Sequence, residues 1–381
     1  MAVSKTLEFD PDALREKYRH ERDRRLRPEA NDQYVEVAAD FRHYIDDPHA
    51  DPGFTRKLLT DAVDVVIVGG GFGGLLAAAR LRESGVKDIR IIEKGGDFGG
   101  TWYWNRYPGA QCDIESYIYL PLLEETGYIP KEKYSFGDEI RAHARRIGGE
   151  FDLYRLACFQ TEISEMRWLQ DENRWLITTN RGDAMHSRFV VISSGPLNRP
   201  KLPGIPGIKT FKGHSFHTSR WDYGYTGGST EGELTKLADK QVAIIGTGAT
   251  AIQCVPHLGR HAKHLYVFQR TPSSVDVRGN KPTDPEWVKT LTPGWQKRRM
   301  DNFNAMFTLG PAYAARLLQP WLPELFLPRS YPKHFHAELS AHAGRTGAPR
   351  CPYREGRVGA AGADGGAYCR GRIWLAGNYS R

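Results

Sequence analysis

The same pattern of strand, glycine turn and helix occurs twice in the chain, and this repeat constrains the fold more than any other feature. In the first copy the strand-like run Val65–Val68 leads into a glycine cluster and then into an apolar helical stretch, Leu75–Leu81. Gly69, Gly71 and Gly74 have GxGxxG spacing. The first glycine permits a tight turn, the second lets backbone approach a pyrophosphate, and the third lets the helix pack closely on the strand. This copy therefore predicts a dinucleotide-binding unit.

The second copy follows 177 residues later. Gly246, Gly248 and Ala251 come directly after the strand-like run Val242–Ile245, and a further strand-like run covers His264–Phe268. A small third residue, here alanine, again permits close helix–strand packing. Two such units predict an α/β fold with two Rossmann-like, three-layer dinucleotide-binding domains.

The two units differ at the residue that would meet the ribose. Glu93 follows the second strand of the first unit, 24 residues after Gly69, and a carboxylate there suits ribose hydroxyls. Arg270 lies 24 residues after Gly246, followed by Thr271, and an arginine there suits a 2′-phosphate. The expected cofactors are FAD in the first unit and NADPH in the second. The alternative is that Arg270 is only a solvated strand end.

Composition excludes several other classes of protein. The 381 residues are 40% apolar and 26% charged, which is ordinary for globular proteins of two or three domains. The net charge is +8, but the last 41 residues carry +5 of it, so nucleic-acid binding is not expected. No apolar run is long enough to cross a bilayer, and the N-terminus resembles no secretory signal.

The five cysteines have no CxxC spacing. This disfavours a disulfide framework, a zinc site and a dithiol redox centre, and it fits a cytoplasmic location.

The chain is expected to divide into a charged helical extension (1–60), an FAD-binding domain (61–205), an NADP-binding domain with the start of a helical region (206–330) and a Gly/Ala/Arg-rich tail (331–381). The extension should contain a surface helix that starts at Asp10 and packs on the main body, or alternatively lies on a membrane surface. Strand-like runs cover Arg167–Thr178 and Arg188–Ile192, and a Pro-rich link follows at 199–207. After Thr283 the sequence favours helix.

Two further segments carry a family resemblance. Residues 211–222, FKGHSFHTSRWD, match FxGxxxHxxxW(P/D) and contain His217, Arg220 and Trp221. Residues 100–113 run from Gly-Thr-Trp through Tyr-Pro-Gly to Asp113. Together with the glycine loops, and in this order, they resemble type I Baeyer–Villiger monooxygenases, which are class B flavoprotein monooxygenases. The resemblance covers about residues 60–280.

The resemblance implies that NADPH reduces FAD and that a C4a-peroxyflavin attacks a ketone to give an ester or lactone. Small-molecule ketone and O2 would then be the partners, with the chain a monomer or weak homo-oligomer. Trp102, Trp104 and Asp113 would lie near the flavin, and Asp113 would anchor the family's active-site arginine. His217 and Trp221 would lie in the hinge between the domains and shape conformational coupling, and together with Asp113 they are the predicted catalytic residues. Arg220 would join the second unit's residues in holding NADPH.

Several alternatives remain open. Trp102 and Trp104 could be core aromatics, and His217 could be a buried structural histidine. The chain could be an N- or S-oxygenating flavin monooxygenase, or an inactive FAD/NADP-binding fragment. A pyridine nucleotide–disulfide reductase would need paired cysteines, which the sequence lacks.

The resemblance stops before the end of the chain. No segment matches the family's Lys-Arg pair, and the role is assigned to neither Arg350 nor Arg354. Ala, Gly and Arg occupy 24 of the last 41 positions without helix or strand periodicity. We interpret this tail as a truncated, frame-shifted or misjoined end.

Overall fold

The first glycine unit belongs to a six-stranded sheet. The computed structural model describes residues 10–37, 39–197, 199–273, 275 and 277–309. The strands of the described chain, in all sheets, are β1 (Tyr34–Glu36), β2 (Ala62–Val68), β3 (Ile89–Ile92), β4 (Ala157–Cys158), β5 (Ile163–Leu169), β6 (Arg174–Thr179), β7 (Ala184–Ile192), β8 (Lys201–Pro203), β9 (Gln241–Ile245) and β10 (His264–Phe268). Its helices are α1 (Pro11–Asp23), α2 (Phe72–Glu83), α3 (Thr101–Trp104), α4 (Ser116–Tyr119), α5 (Gly137–Glu150), α6 (Tyr223–Thr226), α7 (Ala249–His261), α8 (Pro285–Lys289) and α9 (Trp295–Leu309).

The large sheet has strand order β4-β3-β2-β7-β6-β5. The first four strands are parallel, and β7, β6 and β5 pair antiparallel. The strand that precedes the glycine loop is central, as in a Rossmann unit. Ile67 on this strand is fully buried, and so is Leu75 on α2 and Ile147 on α5. These residues share one core cluster, so the two helices cover one face of the sheet.

The second unit is a smaller copy of the same arrangement. Strands β9 and β10 pair in parallel from Gln241↔His264 to Ile245↔Phe268, with α7 between them in the chain. Ala251, Cys254 and Leu258 on α7 are buried in the core of this unit. The predicted α/β fold with two Rossmann-like units is thus confirmed.

Two sequence-based expectations need correction. The run Arg167–Thr178 is not one strand, because a turn at 170–173 with Asn173 in the left-handed region (φ 47°) divides it into β5 and β6. The helix α1 begins where expected, with the Asp10 carboxylate accepting from the backbone N–H groups of Asp12 and Ala13. However, α1 buries none of its residues, and Tyr18 is 68% exposed, so the expected packing on the main body is not observed.

The rest of the extension does contact the body. Strand β1 pairs antiparallel with β8, which lies inside the Pro-rich link. Tyr44 Oη donates to Ser215 Oγ at 2.6 Å. The Arg56 guanidinium forms an ion pair with the buried Asp183 carboxylate beside the large sheet. These contacts hold residues 33–56, which we call the strap, against both nucleotide-binding units.

The described residues fall into two units, one up to Gln296 and one from Lys297. The strap and both glycine loops lie within the first of these units. The predicted helical region after Thr283 is confirmed for α8 and α9, whereas the residues after 309, including the whole tail, lie outside the described residues.

Candidate active site

The first glycine loop is built so tightly that side chains are excluded at two positions. Gly69 has φ +105°, and a Cβ there would lie 2.5 Å from the Ser193 carbonyl oxygen. A Cβ on Gly74 would lie 1.9 Å from the carbonyl oxygen of Gly69 itself. Helix α2 therefore packs directly on the turn, and its N-terminus, beginning after Gly71, is available to a pyrophosphate.

Glu93 is bound to this loop. Its carboxylate is 5% exposed and accepts from the backbone N–H groups of Gly70 (2.5 Å) and Gly95 (2.6 Å). Burial raises the pKa of Glu93, while the hydrogen bonds from Gly95 and Gly70 act in the opposite direction. The carboxylate retains lone pairs beyond these two bonds, which is what a ribose hydroxyl would need.

The segment with the two tryptophans lies against the same loop. A Cβ on Gly100 would come within 2.7 Å of the Gly71 Cα, so the two backbones nearly touch. Trp102 is 7% exposed, and its indole N–H donates to Tyr119 Oη at 2.8 Å. Trp104 is 3% exposed. Both are buried aromatics in the segment that packs against the first glycine loop.

Arg220 joins the two resemblance segments. Its guanidinium carbon lies 3.9 Å from the centre of the Trp104 ring. The residue is 5% exposed, and burial lowers its pKa to about 10. Nη1 donates to the carbonyl and hydroxyl of Ser219, but Nε and Nη2 are buried without a hydrogen-bond partner in the described part of the chain. Buried donors in this state are rare, and they fit an acceptor-rich ligand.

His217 acts as a cap in this segment. Its Nδ1 accepts from the backbone N–H of Ser219 at 3.1 Å and lies 2.7 Å from Ser219 Oγ. Because Nδ1 is an acceptor, the ring is neutral with its proton on Nε2. Burial, followed by the charge of Arg220, lowers the pKa of His217 to about 4.

Trp221 packs in the core of the second unit. It shares a buried cluster with Tyr107 from the first unit and with Ile244 and Ala251. Its indole N–H donates to Thr226 Oγ1 at 3.1 Å. Trp221 therefore lies in a buried cluster to which both nucleotide-binding units contribute residues.

Gln253 on α7 provides a second link between the units. Its Oε1 accepts from Tyr107 Oη at 2.9 Å, and its Nε2 donates to the Gln111 carbonyl at 2.9 Å. Sequence reasoning did not identify this residue.

The second glycine loop is more open than the first. Gly246 has φ +106°, a conformation that favours glycine, and Gly248 precedes the first turn of α7. A Cβ at either position would meet no described atom within 4 Å. The backbone there faces free space at a helix N-terminus, which suits a pyrophosphate.

Arg270 and Thr271 follow β10 beside this loop. The Thr271 carbonyl accepts from Thr247 Oγ1 at 3.1 Å. The exposed Arg270 guanidinium donates from Nη1 to Gln33 Oε1 at 2.6 Å and from Nη2 to Tyr34 Oη at 3.3 Å. The structure thus brings Arg270 together with the strap, a contact that the sequence analysis did not predict.

Asp113 has an arginine partner that the sequence analysis did not identify. Arg278 Nη2 lies 2.6 Å from Asp113 Oδ1, and Arg278 Nη1 donates to the Cys112 carbonyl. The Asp113 side chain is 8% exposed, and its buried Oδ2 has no hydrogen-bond partner among the residues that the structure describes. The two residues are 165 positions apart and Arg278 lies in none of the motifs, so no sequence spacing connects them. The free Oδ2 leaves room for a second donor.

The described residues fit both expected cofactors. The first loop gives a cradle that only glycine allows, the second gives an open helix N-terminus, and Arg220, over the Trp104 ring, supplies buried donors that have no acceptor among the described residues. Among the described residues, no cluster of three or more His, Cys, Asp or Glu could hold a metal ion. No helix in the described ranges is both long and apolar enough to span a membrane.

Known proteins share this architecture. Residues 67–126 match the family model of an NAD(P)-binding Rossmann-like domain. The Baeyer–Villiger monooxygenase ATR8 of Stachybotrys chlorohalonatus is 56% identical over 324 residues, which is 85% of this chain and 52% of that protein. The matched part of the chain belongs to the Baeyer–Villiger monooxygenase family.

Solved structures of this family superpose on the chain. The polycyclic ketone monooxygenase of Thermothelomyces thermophila is 42% identical with a TM-score of 0.76, covering 80% of this chain and 52% of that one. OTEMO in complex with FAD and NADP is 33% identical with a TM-score of 0.56, covering 65% and 45%. The chain spans about half the length of the curated relatives it matches.

Proposed function

We propose that the chain is an NADPH- and FAD-dependent monooxygenase that inserts one atom of O2 into a ketone to give an ester or lactone. Membership in the Baeyer–Villiger family supports the reaction class. The solved complex of OTEMO with FAD and NADP supports the cofactor pair.

The observation that carries the proposal is the buried Arg220. Its guanidinium lies over Trp104, next to the FAD loop, yet it belongs to the segment that leads into the second nucleotide-binding unit. The N–H groups on its Nε and Nη2 have no hydrogen-bond acceptor among the described residues. A nicotinamide nucleotide reaching toward the flavin would offer acceptors at this position.

Each proposed residue has a binding or positioning role. Bound FAD, reduced by NADPH, would supply the activation of O2. The proposed FAD ligands are Gly69, Gly71, Gly74 and Glu93, with Trp102, Trp104 and Asp113 near the flavin. The proposed NADPH ligands are Arg220, Gly246, Gly248, Ala251, Arg270 and Thr271. His217 and Trp221 would hold the connection between the units.

The proposal includes the division of the chain into an extension (1–60), an FAD domain (61–205), an NADP domain (206–330) and a tail (331–381). It also includes a cytoplasmic location, which is consistent with Cys112, Cys158 and Cys254 being buried free thiols. We further propose a small-molecule ketone and O2 as reaction partners and a monomer or weak homo-oligomer as the working form.

The test begins with the visible absorbance spectrum of the purified chain with and without added FAD. A structured flavin band that remains after gel filtration is expected. NADPH oxidation is then measured with a ketone and with a tertiary amine, and the products are identified by mass spectrometry. Ester or lactone supports the proposal, an N-oxide would assign the chain to the N-oxygenating enzymes, and a colourless protein would show a chain that cannot hold FAD.

A further inference from the structure

Two uncharged side chains of the strap, Gln33 and Tyr34, accept hydrogen bonds from Arg270 of the second nucleotide-binding unit. Gln33 Oε1 accepts from Arg270 at 2.6 Å, and Tyr34 Oη accepts from it at 3.3 Å, although these residues are 237 and 236 positions away in sequence. A contact between such distant segments depends on the tertiary fold that holds Gln33 and Tyr34 in place.

Both residues are fixed independently of Arg270. Tyr34 begins β1 and pairs with Pro203 on β8. The carbonyl of Gln33 accepts from the Gly204 N–H at 2.9 Å, and a Cβ on Gly204 would lie 2.7 Å from that oxygen. The Gln33 side-chain nitrogen donates to the Ala30 carbonyl at 2.5 Å. The amide is therefore oriented with its oxygen toward the guanidinium.

The partners leave the charge of Arg270 uncompensated. An amide oxygen and a phenol accept hydrogen bonds without contributing a negative charge. Among the side chains that the structure describes, no carboxylate forms an ion pair with Arg270. A guanidinium that is oriented but not neutralised is suited to a charge-assisted bond with a phosphate.

The arginine is also tied to the glycine loop. Thr247, inside that loop, accepts from Gln269 Nε2 at 3.1 Å and donates to the Thr271 carbonyl at 3.1 Å. These two residues flank Arg270, so its backbone is held beside the place where the dinucleotide is expected.

We propose that Gln33 and Tyr34 position the Arg270 guanidinium for the 2′-phosphate of NADPH and thereby help the protein distinguish NADPH from NADH. This inference rests on the proposed binding of NADPH at the second unit. It makes the strap a part of the nucleotide site, although the strap lies outside both glycine motifs.

The test compares two nucleotides that differ in the 2′-phosphate. Adenosine 2′,5′-bisphosphate and 5′-AMP are titrated into the full 381-residue chain, with FAD present, by isothermal calorimetry. Gln33→Ala is expected to weaken binding of the bisphosphate about threefold to tenfold, the loss of roughly one positioning hydrogen bond, and to leave 5′-AMP unchanged. Gln33→Glu should weaken it further because its carboxylate would compete with the phosphate. Tyr34→Phe should have a smaller effect, and Tyr18→Phe on the exposed α1 is the matched control.

Unchanged binding of 5′-AMP shows that each variant retains the fold of the site. The measured quantity is the affinity for adenosine 2′,5′-bisphosphate divided by the affinity for 5′-AMP. If Gln33→Ala and Gln33→Glu leave this ratio unchanged, or increase it, the inference is overturned. Arg270→Ala tests the underlying assignment separately, because it should abolish the preference for the bisphosphate. A preference that survives Arg270→Ala would overturn the assignment of NADPH to this site.

Discussion

At the scale of single residues, the neutral state of His217 links stability to pH. The pKa of this histidine is about 4 in the folded protein, below its ordinary value of 6.5. Below pH 6.5 the unfolded chain therefore binds more protons than the folded chain, so stability falls as pH falls from 6.5 toward 4. The full effect of such a shift is on the order of 3 kcal/mol.

We expect the free energy of unfolding, measured by urea denaturation, to fall over this pH range. In His217→Asn the fall should be smaller, because asparagine can cap the same turn through its side-chain oxygen but does not titrate. His217→Ala should remove the cap at every pH, at a cost of about 1 kcal/mol. An identical pH slope in the wild type and His217→Asn would show that this histidine is not the group responsible.

The ion pair between Arg278 and Asp113 gives a second prediction at this scale. Arg278→Ala leaves a buried carboxylate without its partner, so we expect a loss of about 2 kcal/mol, below the cost for fully buried pairs because Arg278 is 35% exposed. Asp113→Asn in the same chain should recover much of that loss. The double-mutant cycle is measured by urea unfolding, and additive effects of the two substitutions would contradict a direct interaction.

At the scale of elements, Gly73 and Gly74 in the first turn of α2 should respond in opposite ways to substitution by alanine. Gly74→Ala would place a methyl 1.9 Å from the Gly69 carbonyl oxygen, so α2 would have to move away from β2. We expect at least ~2 kcal/mol of destabilisation and loss of retained flavin. Gly73→Ala is the matched control, since its methyl would meet Ser193 at an ordinary 3.5 Å and alanine favours helix.

Thermal unfolding and the flavin absorbance after gel filtration measure both effects. Equal flavin retention in the two variants would mean that the packing of α2 on the loop does not control FAD binding.

The elements that sequence predicted well are those with local signals. The strand before each glycine cluster, the helix after it and the Asp10 cap follow from periodicity and spacing alone. The division of residues 163–179 into β5 and β6 depends on the polar turn at 170–173, which the alternation of apolar and polar residues in the sequence does not reveal. Strand β1 and the Arg278–Asp113 pair depend on partners more than a hundred residues away, and no local pattern encodes them.

At the scale of the whole molecule, the two-stranded sheet of β9 and β10 exposes apolar side chains to solvent. Ile245 and Phe268 are direct partners across β9 and β10, and they are 61% and 57% exposed. A contiguous exposed pair of this kind favours dye binding and association. We expect the chain to bind the dye ANS and the variant Ile245→Thr/Phe268→Thr to bind less of it.

Tyr18→Ser serves as the control, since Tyr18 is similarly exposed but lies on α1, away from this pair. Equal dye fluorescence in the wild type and the double variant would mean that another surface binds the dye.

The strap also has a consequence for the order in which the protein is made. Arg270 is synthesised 237 residues after Gln33. At ordinary translation rates this interval is on the order of ten to fifty seconds, during which the first nucleotide-binding unit can fold while the strap has no complete docking surface. The strap is therefore synthesised well before Arg270, and its contact with the second nucleotide-binding unit forms only after that unit has been made.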